Sequence, residues 1–321
     1  MPARVLAAGV DLGGTKIYSL IADANGNVLA DDRRPTQAAE GSDAVIDRIV
    51  ASVRQALDEA NVDSREIVGL GISTPGPCDP RRGIVTEAPN LGWSDVPLVD
   101  LVSKKLGVPA LLENDAAAAA YGEMKFGAGR GKRHILYVTL GTGIGGGIII
   151  DGQIYGGASG AAGEVGHLVL EPDGVACNCG ARGCLEALAS GPAIAREAAA
   201  AVTAGRSDVM AKMAAGRELT AELVLEAAQQ GDPAAKDVIE RAGRYLGLGL
   251  VGLLNVFNPE ALILGGGLIG LGDLYLGPAF EAARECGFEQ VLADVTMTTA
   301  KLGGRSGALG AAALMIDRST T

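Results

Sequence analysis

Two stretches of the chain share one order of apolar runs and turns. Residues 4–30 contain an apolar run, a glycine turn, a second apolar run, an Asn-Gly turn and a third run, and residues 134–157 repeat that order. Apolar runs bounded by such turns predict strands joined by tight connections. The repetition therefore predicts two domains that open with the same strands.

The segments after each opening alternate between helical and strand-like periodicity. Apolar residues at helical spacing cover 43–60 and 191–202. Asp232 is placed to cap a long helix that has Pro233 in its first turn, and a strand within 258–268 ends in three glycines. Alternation of this kind predicts an α/β fold with mostly buried sheets.

Length and composition agree with two globular domains. The chain has 321 residues, of which 48% are hydrophobic, 20% charged and only 3% aromatic, so it can bury a core of small aliphatic side chains. Glycine and basic residues cluster in 121–134, between a predicted helix and a predicted strand. This segment is the predicted seam between the two domains.

The charge balance narrows the class of partner. A formal net charge of -11 disfavours tight binding to nucleic acid or to an anionic membrane. The N-terminal apolar run is too short for a signal-peptide core, and the run at 246–257 is too short to cross a bilayer. We therefore expect a cytoplasmic protein that binds a small molecule, with no nucleic acid and no membrane as partner.

Three glycine clusters follow predicted strands and are candidates for binding a nucleotide, the first two at its phosphates and the third beside its adenine or ribose. Glycine lets the backbone approach a phosphate closely, and the first cluster adds a hydroxyl and a cation. A tight hairpin with a surface lysine is the alternative for the first cluster, and a packed strand end is the alternative for the third. Neither of the first two matches a P-loop or a dinucleotide fingerprint. The candidates are Asp11, Gly13, Gly14, Thr15 and Lys16, then Gly141, Thr142 and Gly143, then Gly265, Gly266 and Gly267.

A carboxylate at a predicted strand-to-helix junction is the candidate catalytic group. The strand at 109–113 delivers Asn114 and Asp115 to the start of an alanine-rich helix, where free N–H groups and the helix dipole stabilise negative charge. An aspartate in this position can orient a hydroxyl and accept its proton during phosphoryl transfer. A plain helix cap is the alternative interpretation of both residues.

Cysteine spacing predicts a metal site. Three of the 5 cysteines lie within residues 177–184, and one of the 2 histidines lies shortly upstream. Cys177 and Cys179 are too close in sequence for an unstrained mutual disulfide. Three thiolates and one imidazole instead predict a closed, structural Zn²⁺ site, with reduced cysteines and no metal as the alternative. The predicted ligands are His167, Cys177, Cys179 and Cys184.

Such a zinc site would hold nearby polar side chains in fixed positions. Glu164, His167 and Glu186 flank the cysteines, and carboxylates with an imidazole suit the directed hydrogen bonds of a polyol. The two glutamates could instead be ordinary surface charges.

Together these motifs resemble the ROK family of sugar kinases and sugar-responsive repressors, and within it the bacterial glucokinases. The resemblance extends from about residue 7 to the C-terminal GALGAAAL. It rests on the shared order of DLGGTK, GISTPGP, APNLGW, ENDA, LGTGIGGG, EVGH and CNCGARGCLE.

The resemblance implies a fold and a domain organisation. The fold is the actin-like, ribonuclease-H-like pair of α/β domains with an interdomain cleft. Residues 1–120 with about 303–321 would form the small domain, and 121–302 would form the larger domain that carries the zinc site. Members of the family associate, so we expect a homo-oligomer, a dimer or a tetramer.

The resemblance also implies residue roles for ATP-dependent phosphorylation of glucose to glucose 6-phosphate. Asp115 would be the general base on the 6-hydroxyl, Asp11 would organise Mg²⁺, and the glycine loops would hold ATP. His167 would use one ring nitrogen for zinc and the other for sugar. The implied sugar-binding residues are Gly76, Asn90, Asn114, Asp115, Glu164, His167 and Glu186.

Several alternatives remain at this stage. The sugar could be fructose or an N-acetylhexosamine such as N-acetylmannosamine, the donor could be polyphosphate, and the chain could be a sugar sensor without catalysis. A repressor of the family would need a helix-turn-helix before the sugar domain, whereas ten residues precede Asp11 and they have a strand pattern. Ala117 stands where family members often have Asn or Asp, and we expect it to affect helix packing or a secondary contact.

Overall fold

The predicted alternation of strands and helices is present in the computed structural model, which describes residues 4–320. The strands are β1 (Leu6–Leu12), β2 (Lys16–Asp23), β3 (Val28–Pro35), β4 (Ile67–Thr74), β5 (Cys78–Asp79), β6 (Ile84–Ala88), β7 (Trp93–Val96), β8 (Ala110–Asn114), β9 (Ile135–Leu140), β10 (Ile144–Ile150), β11 (Gln153–Ile154), β12 (Ala261–Gly265) and β13 (Thr296–Thr299). The helices are α1 (Ser42–Ala60), α2 (Leu98–Leu106), α3 (Asp115–Phe126), α4 (Leu185–Ala189), α5 (Gly191–Thr203), α6 (Asp208–Ala214), α7 (Ala221–Gln229), α8 (Pro233–Phe257), α9 (Asp273–Cys286), α10 (Glu289–Asp294) and α11 (Ser306–Thr320).

The two openings form equivalent parts of two five-stranded sheets, strands β1 to β3 in the first sheet and β9 to β11 in the second. The first sheet has the order β3-β2-β1-β4-β8, and the second has the order β11-β10-β9-β12-β13. In the first sheet, β1 to β3 are antiparallel neighbours, while β1, β4 and β8 are parallel. A small antiparallel sheet consists of β5, β6 and β7. The internal repeat predicted from the turn pattern is therefore confirmed.

The chain divides into two compact units. One unit comprises the residues up to Tyr137, the segment Gly147–Gly163 and the residues from Ala300 onward, and the other comprises Val138–Gly146 and Glu164–Thr299. The domain boundaries near residues 120 and 303 are inferred from the sequence, and they stay a prediction.

In the first unit, helices cover both faces of the first sheet. The helical spacing of Val45, Ile49 and Val53 directs these fully buried side chains from α1 onto one face. The other face packs against α11 through a second apolar cluster, and at Gly9 the approach is too close for any side chain. A Cβ atom at Gly9 would lie 2.0 Å from the Ala308 carbonyl oxygen. Glycine in β1 therefore allows the backbone of α11 to contact the sheet.

In the second unit, α8 is the long helix that the sequence predicts. Asp232 caps it by accepting a hydrogen bond from the Ala235 N–H at 2.8 Å, and Pro233 is its first residue. It packs closely on α9, because a Cβ atom at Gly247 would lie 2.4 Å from the Ala279 carbonyl oxygen. Within residues 4–320, no helix combines the length and apolar character needed to cross a membrane.

Candidate active site

The junction between β8 and α3 separates the roles of two adjacent residues. Asn114 is the helix cap, since its Oδ1 accepts hydrogen bonds from the N–H groups of Ala116 at 3.0 Å and Ala117 at 3.2 Å. Asp115 is the first residue of the helix, and its Oδ1 accepts from the Ala116 N–H at 2.7 Å. The cap interpretation therefore applies to Asn114, while the Asp115 carboxylate lies at the positive end of the helix dipole.

Parallel register brings further polar residues to the same edge of the first sheet. Asp11 at the end of β1 is paired with Ser73 on β4, and Ser73 is paired with Glu113 on β8. The three residues thus lie in a row at the carboxyl ends of parallel strands, and Glu113 directly precedes Asn114 and Asp115 in the chain. Ligands of open α/β sheets commonly bind outside this edge.

Asp11 fits the predicted role of organising Mg²⁺. Burial raises the pKa of its carboxyl group, while a hydrogen bond from Ser73 and the charge of Lys16 act in the opposite direction. A half-buried carboxylate with incomplete charge compensation favours a cation, and carboxylate oxygen is the donor type that Mg²⁺ prefers.

The first glycine turn adjoins a predicted sugar-binding residue. The Gly13 N–H donates to the Lys16 carbonyl at 2.9 Å, which closes the β1–β2 hairpin. A Cβ atom at Gly14 would lie 3.0 Å from the Cβ of Asn90. The backbone here is thus a tight hairpin, as the alternative interpretation holds. The side chains of Thr15 and Lys16 are exposed, so they are accessible to a ligand.

Gly76, another predicted sugar contact, lies next to Asn114. Its carbonyl oxygen is 3.5 Å from the Nδ2 of Asn114. Gly76 has a φ of 79°, and a Cβ atom there would lie 2.5 Å from the Glu87 carbonyl oxygen. Glycine is thus required for the turn that brings this backbone to the helix cap.

In the second unit, the other two glycine clusters are neighbours. The turn after β9 is tight, because the Gly141 N–H donates to the Gly143 carbonyl at 2.9 Å. Gly266, which follows β12, has a φ of 88°, and a Cβ atom there would lie 2.2 Å from the Leu140 carbonyl oxygen. Gly266 thus packs against a strand end rather than a helix, and the two clusters form one glycine-lined edge. Gly265 is buried, whereas Thr142, Gly266 and Gly267 are exposed.

Glu186 contacts the second glycine turn. Its Oε2 accepts a hydrogen bond from the Ile144 N–H at 2.9 Å, and a Cβ atom at Gly143 would lie 2.6 Å from the same oxygen. The sequence predicts Glu186 as a sugar contact, and the structure adds that its carboxylate holds the backbone of this turn.

The four predicted zinc ligands lie together. The ligand atoms of His167, Cys177, Cys179 and Cys184 are all within 4.8 Å of one another. The distance from Cys177 Sγ to His167 Nδ1 is 3.7 Å, and that from Cys179 Sγ to Cys184 Sγ is also 3.7 Å. A tetrahedral zinc with Zn–S bonds of about 2.3 Å separates its ligands by about 3.8 Å. The cluster therefore fits Zn²⁺.

Backbone pairing and two glycines shape the cysteine loop. Val169 bridges to Cys184 and Ala176 to Arg182, which folds the segment back on itself. Gly180 and Gly183 have φ angles of 92° and 63°, which favour glycine and let the chain turn tightly between the cysteines. Cys184 immediately precedes α4 and is its N-terminal flanking residue.

His167 directs its two ring nitrogens to different groups. Nδ1 faces Cys177, whereas Nε2 lies 4.0 Å from the Oε2 of Glu164. Glu164 is exposed and begins the short 3₁₀ turn Val165–His167. The arrangement allows one nitrogen to bind a metal while the other faces a carboxylate.

Sequence reasoning missed three polar residues of the first unit, of which two are fully buried and one is half-buried. They are the fully buried Ser73, the neighbouring half-buried Glu113, whose pKa is raised by desolvation, and Glu123, which is fully buried on α3. A polar residue at the carboxyl end of a predicted parallel strand is a usable signal for the first two. Glu123 has no such signal, because most of its partners lie far along the chain.

Comparison with known proteins identifies the family. The profile of the ROK family matches residues 7–318. This chain belongs to the ROK family.

The ROK protein is similar over nearly its whole length to curated glucokinases. It is 40% identical to the glucokinase of Streptomyces coelicolor, with 96% of this chain and 97% of that protein covered. It is 38% identical to the glucokinase of Thermotoga maritima, with 97% of each chain covered.

A solved structure extends the similarity to the fold. The ROK family glucokinase of Streptomyces griseus, crystallised with glucose and AMPPNP, superimposes with a TM-score of 0.81 at 39% identity and covers 96% of this chain and 98% of that chain. The ROK protein therefore has the predicted two-domain, actin-like α/β fold.

Proposed function

We propose that this ROK protein transfers the γ-phosphoryl group of ATP to the 6-hydroxyl of glucose. The observation that carries the proposal is the position of Asp115, which begins α3 after Asn114 has capped the helix. The near full-length similarity to glucokinases supports glucose as acceptor, and the glucokinase bound to glucose and AMPPNP supports ATP as donor.

Asp115 would act as the general base. Its carboxylate would accept a hydrogen bond from the 6-hydroxyl and take the proton as the oxygen bonds to the γ-phosphorus. The bond between that phosphorus and the bridging oxygen breaks, and ADP leaves with the electron pair. The first turn of α3 stabilises the charge of Asp115 before the proton moves.

Each unit would contribute its own set of sugar and nucleotide contacts. In the first unit, Asn90, Asn114 and the backbone at Gly76 would bind sugar hydroxyls, and the turn from Gly13 to Lys16 would bind phosphate. In the second unit, the proposed contacts are sugar binding by Glu164, His167 and Glu186, and nucleotide binding by Gly141 to Gly143 and Gly265 to Gly267.

Two metal ions complete the proposal. Asp11 would hold Mg²⁺, which neutralises charge on the transferred phosphoryl group when it is bound. His167 and the three cysteines of the cluster would hold a structural Zn²⁺, which fixes the loop that leads into α4. The short sulfur–nitrogen and sulfur–sulfur distances support the zinc assignment.

Initial rates of ADP release test the proposal. Purified protein with Mg²⁺ and ATP is assayed against glucose, mannose, fructose, N-acetylglucosamine and N-acetylmannosamine. We expect glucose to be the best acceptor and Asp115→Asn to lower kcat at least about 100-fold, the lower range for a general base. Sugar binding is followed separately by the fluorescence of Trp93, the chain's 1 tryptophan, which lies three residues after Asn90.

The control is Asp100→Asn, which makes the same substitution in the first turn of α2 and should leave turnover unchanged. If Asp115→Asn kept full turnover, the assignment of the base would be wrong. A higher rate on an N-acetylhexosamine or on fructose would replace glucose as the substrate. Sugar binding without turnover would indicate another donor, such as polyphosphate, or a sensor.

We also propose that the protein is cytoplasmic and forms a homo-oligomer, a dimer or a tetramer. An ATP-dependent sugar kinase needs the nucleotide pool of the cytoplasm. Light scattering coupled to size exclusion measures the mass of the assembly, and a monomer at micromolar concentration would contradict the expectation.

A further inference from the structure

The carboxylate of Asp11 is held by a side chain from the neighbouring strand. Ser73 Oγ donates to Asp11 Oδ1 at 2.9 Å, and the Val10 carbonyl lies farther from the same hydroxyl, at 3.2 Å. The two residues are register partners in the parallel pairing of β1 with β4. Ser73 is fully buried, so water does not compete for this hydrogen bond.

The start of α11 closes the third side of this pair. A Cβ atom at Gly307 would lie 3.0 Å from Asp11 Oδ1 and 3.1 Å from Ser73 Oγ. Those separations are shorter than ordinary contacts of a methyl group with oxygen, so a side chain at this position would displace the carboxylate. The glycine therefore leaves the space that the Asp11–Ser73 hydrogen bond occupies.

We propose that Ser73 is a positioning residue that fixes the orientation of the Asp11 carboxylate toward Mg²⁺. The hydrogen bond engages Oδ1 and leaves Oδ2 for the ion or for one of its water ligands. Groups that orient a metal-binding carboxylate typically change metal affinity or activity 10–100-fold when they are removed. The inference rests on the proposed function insofar as Asp11 organises Mg²⁺ for a bound nucleotide.

The test measures Mg²⁺-dependent binding of ADP by titration calorimetry, in the absence of sugar and of turnover. For Ser73→Ala we expect the Mg²⁺ concentration that gives half-maximal ADP affinity to rise about 10-fold. Glucose binding, read from Trp93 fluorescence, should stay unchanged. Gly307→Ala should shift the Mg²⁺ dependence in the same direction, because its methyl group displaces the same carboxylate.

The matched control is Ser19→Ala on the adjacent strand β2. Ser19 is also fully buried, and among the described residues its hydroxyl has no hydrogen-bond partner. This control removes the same atom from the same sheet, and it should leave the Mg²⁺ dependence unchanged.

A Ser73→Ala protein with the wild-type Mg²⁺ dependence would overturn the inference. Equal losses of Mg²⁺-dependent ADP binding and of glucose binding would also overturn it, since they would indicate a general structural role. If the wild type phosphorylated no sugar while Ser73→Ala still showed the shift, the proposed kinase activity would fail and the positioning role would stand.

Discussion

Glu123 offers a quantitative test of how the first unit is held together. This fully buried carboxylate accepts four hydrogen bonds. Oε1 accepts from the Leu302 N–H at 2.8 Å and the Ser306 hydroxyl at 3.0 Å, and Oε2 accepts from the N–H groups of Ala128 at 2.8 Å and Lys301 at 3.1 Å. One side chain therefore joins the end of α3 to the segment that leads into α11.

The substitution Glu123→Gln replaces one acceptor oxygen with a donor. The amide nitrogen is least unfavourable in the Oε1 position, because the Ser306 hydroxyl can rotate to accept from it while the Leu302 N–H alone loses its partner. One buried unsatisfied N–H costs about 1–3 kcal/mol, and bonds to a neutral acceptor are weaker than those to a charged one. Relief of the buried charge offsets part of this loss, so we expect destabilisation of about 3 kcal/mol.

Urea unfolding gives the change in stability, and hydrogen exchange locates it. If the free energy of local opening falls by about 3 kcal/mol, the amides in 300–306 should exchange about 100-fold faster. Ser306→Ala removes one of the four bonds, and we expect it to cost about 1 kcal/mol. Glu285→Gln on the exposed side of α9 is the control for the same substitution.

The reasoning would be refuted by a Glu123→Gln protein whose unfolding free energy lies within about 0.5 kcal/mol of the wild type and whose exchange in 300–306 is unchanged. A change confined to the second unit would be equally incompatible, since every partner of this carboxylate lies in the first unit.

Three further predictions concern other regions of the chain. Burial alone would raise the pKa of Asp23, but hydrogen bonds from its neighbours lower that pKa to about 2. The ionised carboxylate should therefore contribute about 2 kcal/mol to the free energy of unfolding above about pH 4, and this contribution should be lost as the pH falls to about 2. A stability difference between wild type and Asp23→Asn that does not change with pH would contradict the assignment. Cys179→Ser should lose zinc and weaken glucose binding, while Cys286→Ser, at another exposed cysteine, should retain both; wild-type protein without zinc in metal analysis would end this idea. Gly71→Ala places a Cβ atom 1.9 Å from the Ala311 carbonyl oxygen and should destabilise by about 2 kcal/mol or more, which thermal unfolding measures; an unchanged melting temperature would show that α11 can move away.

The elements that sequence predicts well are those specified by local signals. The openings are identified by glycine and Asn-Gly turns between apolar runs, and α8 is identified by Asp232 followed by Pro233. Each signal acts within a few residues, so no knowledge of the tertiary structure is needed to use it. The zinc cluster belongs to the same class, because most of its ligands lie within one short loop.

Adjacent residues with similar chemistry are harder to separate. Asn114 and Asp115 can each accept a hydrogen bond at a helix start, so composition and spacing do not tell which of the two is the cap. Only the backbone decides, because the helix begins at Asp115 and the Asn114 oxygen reaches two N–H groups of its first turn. The position of one helix boundary therefore assigns the cap to Asn114 and supports the proposal that Asp115 is the base.

Contacts between distant segments are beyond sequence reasoning without strand register. Ser73 and Asp11 are 62 residues apart along the chain, and they meet only because β1 and β4 are parallel neighbours in one register. A shift of one residue would turn Ser73 to the other face of the sheet. Three of the four partners of Glu123 are more distant still, and no pattern in either segment indicates them.

The second unit shows how one such contact links two sites that the sequence treats separately. Cys184 directly precedes α4, Glu186 lies in the first turn of that helix, and its carboxylate holds the Ile144 N–H beside the second glycine turn. A metal that fixes Cys184 therefore fixes the start of α4, and through Glu186 the backbone proposed to bind nucleotide. Since Glu186 is also a proposed sugar contact, loss of zinc should weaken nucleotide binding as well as sugar binding. A zinc-free protein that kept its ADP affinity while losing glucose would show that the glycine turn holds its shape without this hydrogen bond.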